Sequence, residues 1–169
     1  SVIVDNINPV VSLAYPHDNQ TLTGGVKVVA IAPADTSSVR FYVSNASGAA
    51  FVTRLTDSNR NDGWSFDWAT DNDCAAECTN VSLRAEATDA SGLKQNYTVN
   101  NLEIDNSAPS VTLLVPANGA TLKGVNILSA TSSSDTASVL FEYSPDSGSA
   151  WYVIGTDSAS SGGWNITWD

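Results

Sequence analysis

The sequence predicts an all-β protein: two immunoglobulin-sized antiparallel β-sandwiches in tandem, the second incomplete at its C-terminal end. Three observations predict it. Apolar residues alternate with polar ones over short runs, the runs are separated by clusters of Gly, Pro, Asn, Asp and Ser, and the pattern recurs after 100 residues. No stretch carries the three-to-four-residue apolar spacing of an amphipathic helix.

The recurrence sets the frame for every later assignment. Residues 1–69 superpose on 101–169 without a gap, with 25 identities in 69 pairs. The matched positions include Asp5/Asp105, Asn6/Asn106, Pro9/Pro109, Pro16/Pro116, Leu22/Leu122, Gly24/Gly124, Phe41/Phe141, Asp57/Asp157, Gly63/Gly163, Trp64/Trp164 and Trp68/Trp168. These are turn formers, core aromatics and linker acids. A 100-residue period suits an independently folding domain, not a solenoid unit. The expected organisation is the end of a preceding repeat with its linker over 1–6, one repeat over 7–106, and an incomplete repeat over 107–169. The second copy stops before any counterpart of residues 70–100, which predicts a window cut from a longer array. The alternative is that Ser1 to Val4 fills the gap in another copy by strand addition. That segment would replace only the last of the missing strands.

Within one repeat the elements follow in order. Val11, Leu13 and Tyr15 open the alternation, and Val26 to Ile31 follows the Gly24-Gly25 turn. Val39, Phe41 and Val43 alternate with Arg40 and Tyr42. Phe51 to Leu55 is a weaker, edge-type segment. Trp64, Phe66 and Trp68 alternate with Ser65 and Asp67, and Val81, Leu83, Ala85 and Ala87 alternate with Ser82, Arg84, Glu86 and Thr88. The last strand runs near Asn96 to Ile104. About seven strands in about 100 residues describe an immunoglobulin-like sandwich. Period-two geometry points Trp64, Phe66 and Trp68 to one face. The rings are expected to fill the core, Trp68 and Trp168 foremost, with a sugar-stacking platform as the alternative. Trp151 replaces Phe51 in the edge-type strand and is the best candidate for an exposed, ligand-binding aromatic, although partial burial of the ring is the expectation.

Composition narrows the function classes. The 169 residues are 42% hydrophobic and carry seven Lys and Arg against eighteen Asp and Glu, a net charge of -11. Such a charge repels phosphate backbones and anionic lipid surfaces, so no nucleic-acid partner is expected. No apolar run approaches the roughly 18 residues of a membrane span, so no direct membrane insertion is expected. One His and two Cys leave little material for nucleophilic triads or transition-metal sites, and no enzymatic activity is expected.

Cys74 and Cys78 form a Cys-x₃-Cys pair without a third Cys, and the sole His, His17, lies far away in sequence. A disulfide clipping the loop is the leading reading, in keeping with an oxidising exterior. A redox-active dithiol is the alternative. Asp67, Asp71, Asn72, Asp73 and Glu77 surround the pair but lack the spacing and Gly of a calcium-binding EF-hand loop, so a solvated loop is expected. Sequons stand at Asn19, Asn45, Asn80, Asn96 and Asn165, in turns, near strand starts or on an outward face. All five are N-glycosylation candidates.

Asp105-Asn106-Ser107-Ala108-Pro109, the segment from Tyr143 to Trp151, the Gly163-Trp164 to Trp168-Asp169 strand and Ala87-Thr88-Asp89-Ala90-Ser91-Gly92 together resemble the bacterial and archaeal immunoglobulin-like repeats of cell-surface proteins. The resemblance covers essentially the whole chain. It implies an extracellular, non-catalytic structural module in a stalk, surface layer or filament, whose partners are neighbouring repeats or copies of itself. A glycan- or protein-binding adhesin module, or an accessory domain of a secreted hydrolase, is the alternative. Some members bind calcium between domains, and the residues that would carry this over are Asp89, Asp105 and Asn106. Ca²⁺ takes six to eight oxygen ligands. Ordinary turn chemistry, in which Asp and Asn side chains accept from nearby backbone amides, is the competing explanation.

Overall fold

A computed structural model describes residues 5–45 and 50–169. Ser1 to Val4, considered above for strand addition, and Ser47 of the Asn45 sequon lie outside the described residues. The chain divides into two compact units, one ending at Ser107 and the other beginning at Ala108. Both are all-β.

The first unit comprises β1 (Ser12–Tyr15), β2 (Thr21–Leu22), β3 (Gly25–Ile31), β4 (Thr36–Ser44), β5 (Val52–Asp57), β6 (Trp64–Ala69), β7 (Glu77–Asp89) and β8 (Lys94–Asp105). They form two sheets, ordered β1-β3-β6 and β2-β8-β7-β4-β5. Alternation sorts the residues as expected. Val26, Val28 and Ala30 of β3 and Trp64, Phe66 and Trp68 of β6 are buried against Val39, Phe41 and Val43 of β4 and Val81, Leu83, Ala85 and Ala87 of β7. Phe41 and Phe66 meet across the two sheets with ring centroids 4.9 Å apart. Burial of such side chains contributes about 1.5–3 kcal/mol each, which makes this double layer the stabilising centre of the unit. The segment expected at an edge is β5, which ends the five-stranded sheet and is exposed along most of its length.

The two-residue strand β2 was not foreseen. It pairs with β8 in parallel, Thr21 with Glu103 and Leu22 with Ile104, and buries Leu22. Two residues are too few to show an alternation, and only the long-range partner defines them.

The second unit comprises β9 (Val111–Val115), β10 (Asn126–Ser132), β11 (Val139–Tyr143), β12 (Tyr152–Asp157) and β13 (Trp164–Trp168), in sheets ordered β13-β10-β9 and β11-β12. The repeat is preserved in pairing as well as in sequence. Val39↔Asp57 and Phe41↔Leu55 recur as Val139↔Asp157 and Phe141↔Gly155, with the irregularity after the Phe in both. Val26↔Trp68 and Ala30↔Trp64 recur as Asn126↔Trp168 and Ala130↔Trp164. Shared turn chemistry fixes this register. Asp57 accepts from the amides of Asn59 (2.8 Å) and Ser65 (3.1 Å), and Asp157 accepts from those of Ala159 (2.9 Å) and Asn165 (2.8 Å). Each carboxylate staples the connection between its two strands. Gly63 and Gly163, at φ 82° and 76°, supply the left-handed backbone that the staple needs just before the Trp.

Leu128, Ala130, Val139, Phe141 and Trp164 form the core of the second unit. Trp168 departs from expectation. Its counterpart Trp68 is buried in a core cluster that includes residues of β7 and β8, strands with no counterpart in the second unit, whereas Trp168 is only half-buried. For the same reason Thr121 and Leu122 form no strand.

Candidate functional site

The residues expected at a calcium site do not meet. Asp89 ends β7, whereas Asp105 pairs with Glu77 at the other end of the same ladder. Twelve residues of strand separate the two places by roughly 40 Å. Asn106 is occupied within the protein: its Oδ1 accepts from the Gly24 amide (2.8 Å) and the Thr70 hydroxyl (3.2 Å), and its Nδ2 donates to the Cys74 carbonyl (2.7 Å). Asp105 accepts from the Ser107 amide (3.1 Å), as Asp5 accepts from that of Ile7 (3.0 Å). Asp5 and Asp105 thus follow ordinary turn chemistry, whereas Asn106 is a long-range clip. Among the described residues, no three His, Cys, Asp or Glu side chains gather as a metal site would require.

Asp89 organises the β7–β8 turn. Its Oδ1 accepts from the Ser91 hydroxyl (2.7 Å) and the amides of Ser91 (2.8 Å) and Leu93 (2.9 Å). Burial works against its charge. The hydrogen bonds from Ser91, Leu93 and Gly92 outweigh that and hold its pKa below the ordinary carboxylate value.

Cys74 and Cys78 are joined in a disulfide, with Cα atoms 6.0 Å apart. The surrounding acidic segment is not uniformly solvated, as the sequence suggested. The Asp73 side chain is only 2% exposed; it pairs with the Arg54 guanidinium and accepts from the Trp68 indole Nε1 at 2.7 Å. Two carbonyls of this loop also hold the end of the unit, since the Asn106 amide donates to the Ala76 carbonyl at 2.7 Å in addition to the Cys74 contact. Neither Arg54 nor Asp73 stood out in the sequence, because a lone charge in an edge strand and one acid among four give no local signal. The loop is therefore an internal brace, built from a disulfide, an ion pair and an amide clip.

The sequon residues Asn19, Asn45, Asn80, Asn96 and Asn165 are all exposed. Trp151 is 62% exposed at the start of the edge segment. It does not join the nearest aromatic row, in which Tyr143 lies 5.5 Å from Tyr152 and 5.1 Å from Trp168 between ring centroids. That row occupies the inward side of β11 and β13. In the first unit the same places belong to Val43 and Trp68, both interior.

The double-layered first unit with its β4–β7 ladder is the arrangement of an immunoglobulin-like sandwich, and the sequence comparison agrees. Residues 9–79 match the bacterial Ig domain family. The bacterial Ig match runs from the buried Pro9 through β6 and the disulfide loop into the start of β7. Bacterial Ig domains are typically non-catalytic modules of the surface type and are commonly extracellular. No curated protein matches the chain. Among the described residues no helix is long and apolar enough to cross a membrane.

Proposed function

We propose that this chain is a non-catalytic structural segment of a cell-surface protein, in which immunoglobulin-like repeats space, stiffen or link functional ends in a stalk, surface layer or filament. The observation that carries the reading is the gapless repeat: two units share turn residues, strand register and carboxylate staples, the first matches the bacterial Ig domain, and what is preserved between them is frame. The recurring acids Asp57/Asp157 and Asp5/Asp105 accept from nearby backbone amides, and Asn106 clips Gly24, Thr70 and Cys74. The disulfide supports an oxidising exterior. The partners on this reading are neighbouring repeats. Antibody raised against the first unit should label intact cells of the source organism, and external protease should remove the signal. Labelling only after permeabilisation would overturn the surface placement.

A binding role has one observation in its favour, the exposed Trp151 beside the exposed Tyr152. Glycan-array binding lost in Trp151→Ala with the fold intact would establish it.

A further inference from the structure

The chain leaves the first unit at Asp105, Asn106 and Ser107. At that exit Asn106 is tied to places far from it in sequence. Its Oδ1 accepts from the Gly24 amide (2.8 Å) and the Thr70 hydroxyl (3.2 Å), its Nδ2 donates to the Cys74 carbonyl (2.7 Å), and its backbone amide donates to the Ala76 carbonyl (2.7 Å). A carboxamide suits this place because it accepts and donates in one planar group, whereas a carboxylate would set an oxygen against the Cys74 carbonyl. The anchors are themselves held. Thr70 is fully buried, its hydroxyl is shared with the Gly24 carbonyl (2.7 Å), and its carbonyl accepts from the Cys74 amide (2.9 Å). The Cys74–Cys78 disulfide ties the loop to β7, where Cys78 stands opposite Ile104 of β8.

The direction of the neighbouring strands gives these bonds a mechanical meaning. β2 and β8 run parallel, Thr21 beside Glu103 and Leu22 beside Ile104. Tension along the chain draws β2 toward its N-terminal side and β8 toward its C-terminal side. Parallel partners drawn that way slide past each other, so their hydrogen bonds are loaded together instead of one at a time. With two residues, β2 supplies few such bonds. A pull on Ser107 meets Asn106 before it reaches β8, and it must break the contacts with the β2–β3 turn, Thr70 and the disulfide loop.

We propose that Asn106 is a mechanical latch of the first unit, anchored by the Cys74–Cys78 loop, which resists unfolding when tension passes through Ser107. Its use rests on the structural role proposed above, but its test needs no cell: failure of the latch leaves antibody labelling to decide surface placement, and failure of labelling leaves the latch standing. The full chain is held at constant force by handles at its N-terminus and at Asp169, and the first unit is recognised by its longer release of chain, since the second holds only 108–169. In the comparison geometry the second handle sits on the exposed Ser58, so the load bypasses Asn106. Asn106→Ala should shorten the lifetime of the first unit about tenfold under end-to-end load and less than about twofold through Ser58. Dithiothreitol, oxidised to its cyclic disulfide as Cys74 and Cys78 become thiols, should shorten the end-to-end lifetime of the unmodified chain about threefold and add little in Asn106→Ala, because both act on one latch. An unchanged end-to-end lifetime, equal shortening in the two geometries, or losses that multiply in full overturns the proposal. Should Asn106→Ala fail to fold, reduction of the unmodified chain in the two geometries decides alone: shortening confined to the end-to-end load supports the latch, and equal or no shortening overturns it.

Discussion

Val11 and Val111 hold the same place in the repeat and are followed by the same Leu two residues on, yet one is interior and the other faces solvent. The difference teaches what each part of an immunoglobulin-like frame needs. Strand positions, register and the β5–β6 and β12–β13 staples form in both units, because the residues that make them stand in both repeats. Burial of Val11, Leu13, Leu22 and Trp68 requires β7 and β8 as well. The apolar residues of the second unit retain the pattern of an interior without its cover.

Substitutions at matched positions break or sharpen this comparison. The largest gap is expected at the second Trp of each repeat: Trp68→Ala should cost the first unit about 3–5 kcal/mol, and Trp168→Ala should cost the second about 1–2 kcal/mol. Denaturant unfolding followed by NMR signals assigned to each unit would measure both, and equal costs would refute the unequal burial. At the next position in size, Leu13→Ala should destabilise by about 2–3 kcal/mol, whereas Leu113→Ala should stay within about 0.5 kcal/mol. Joint replacement of Cys74 and Cys78 by Ser should remove about 2 kcal/mol from the first unit and leave the second unchanged, read as separate unfolding midpoints.

Acid should act on both units through different residues. Hydrogen bonds from the amides of Asn165 and Ala159 hold the Asp157 pKa below its ordinary 3.8, and those from the Ala150 amide and Ser144 hydroxyl do the same for Asp146. A carboxylate with a depressed folded-state pKa stabilises above the unfolded value, and the contribution is lost as pH falls through the folded one. The second unit should therefore lose stability below about pH 4, and Asp157→Asn should flatten that limb of its melting-temperature profile. The smallest effect belongs to Trp151→Ala, expected within about 0.5 kcal/mol by thermal melting because the ring is already in solvent.

The sequence made most of the frame legible. Alternation placed β3, β4, β6 and β7, and the repeat placed β10, β11 and β13 as counterparts of the first three, since a period of two survives wherever one face is buried. The disulfide was legible from the isolation of two Cys four positions apart. What escaped has one physical cause, dependence on distant partners. β2 exists through β8, Asp73 is buried through Arg54 and Trp68, and Asn106 is a clip through Gly24, Thr70 and Cys74. The calcium expectation joined Asp89 to Asp105 and Asn106 through a family resemblance, without the strand length that separates them. Trp168 was placed inside by analogy with Trp68, without regard to what covers each.

The most direct test of the account is amide hydrogen exchange across β4 and β11 in the unmodified chain. With β4 paired on both edges, its interior amides from Val39 to Val43 should all be slow, while in β11 slow amides facing β12 should alternate with fast ones on the open edge. Uniform protection along both strands, independent of protein concentration, would contradict it.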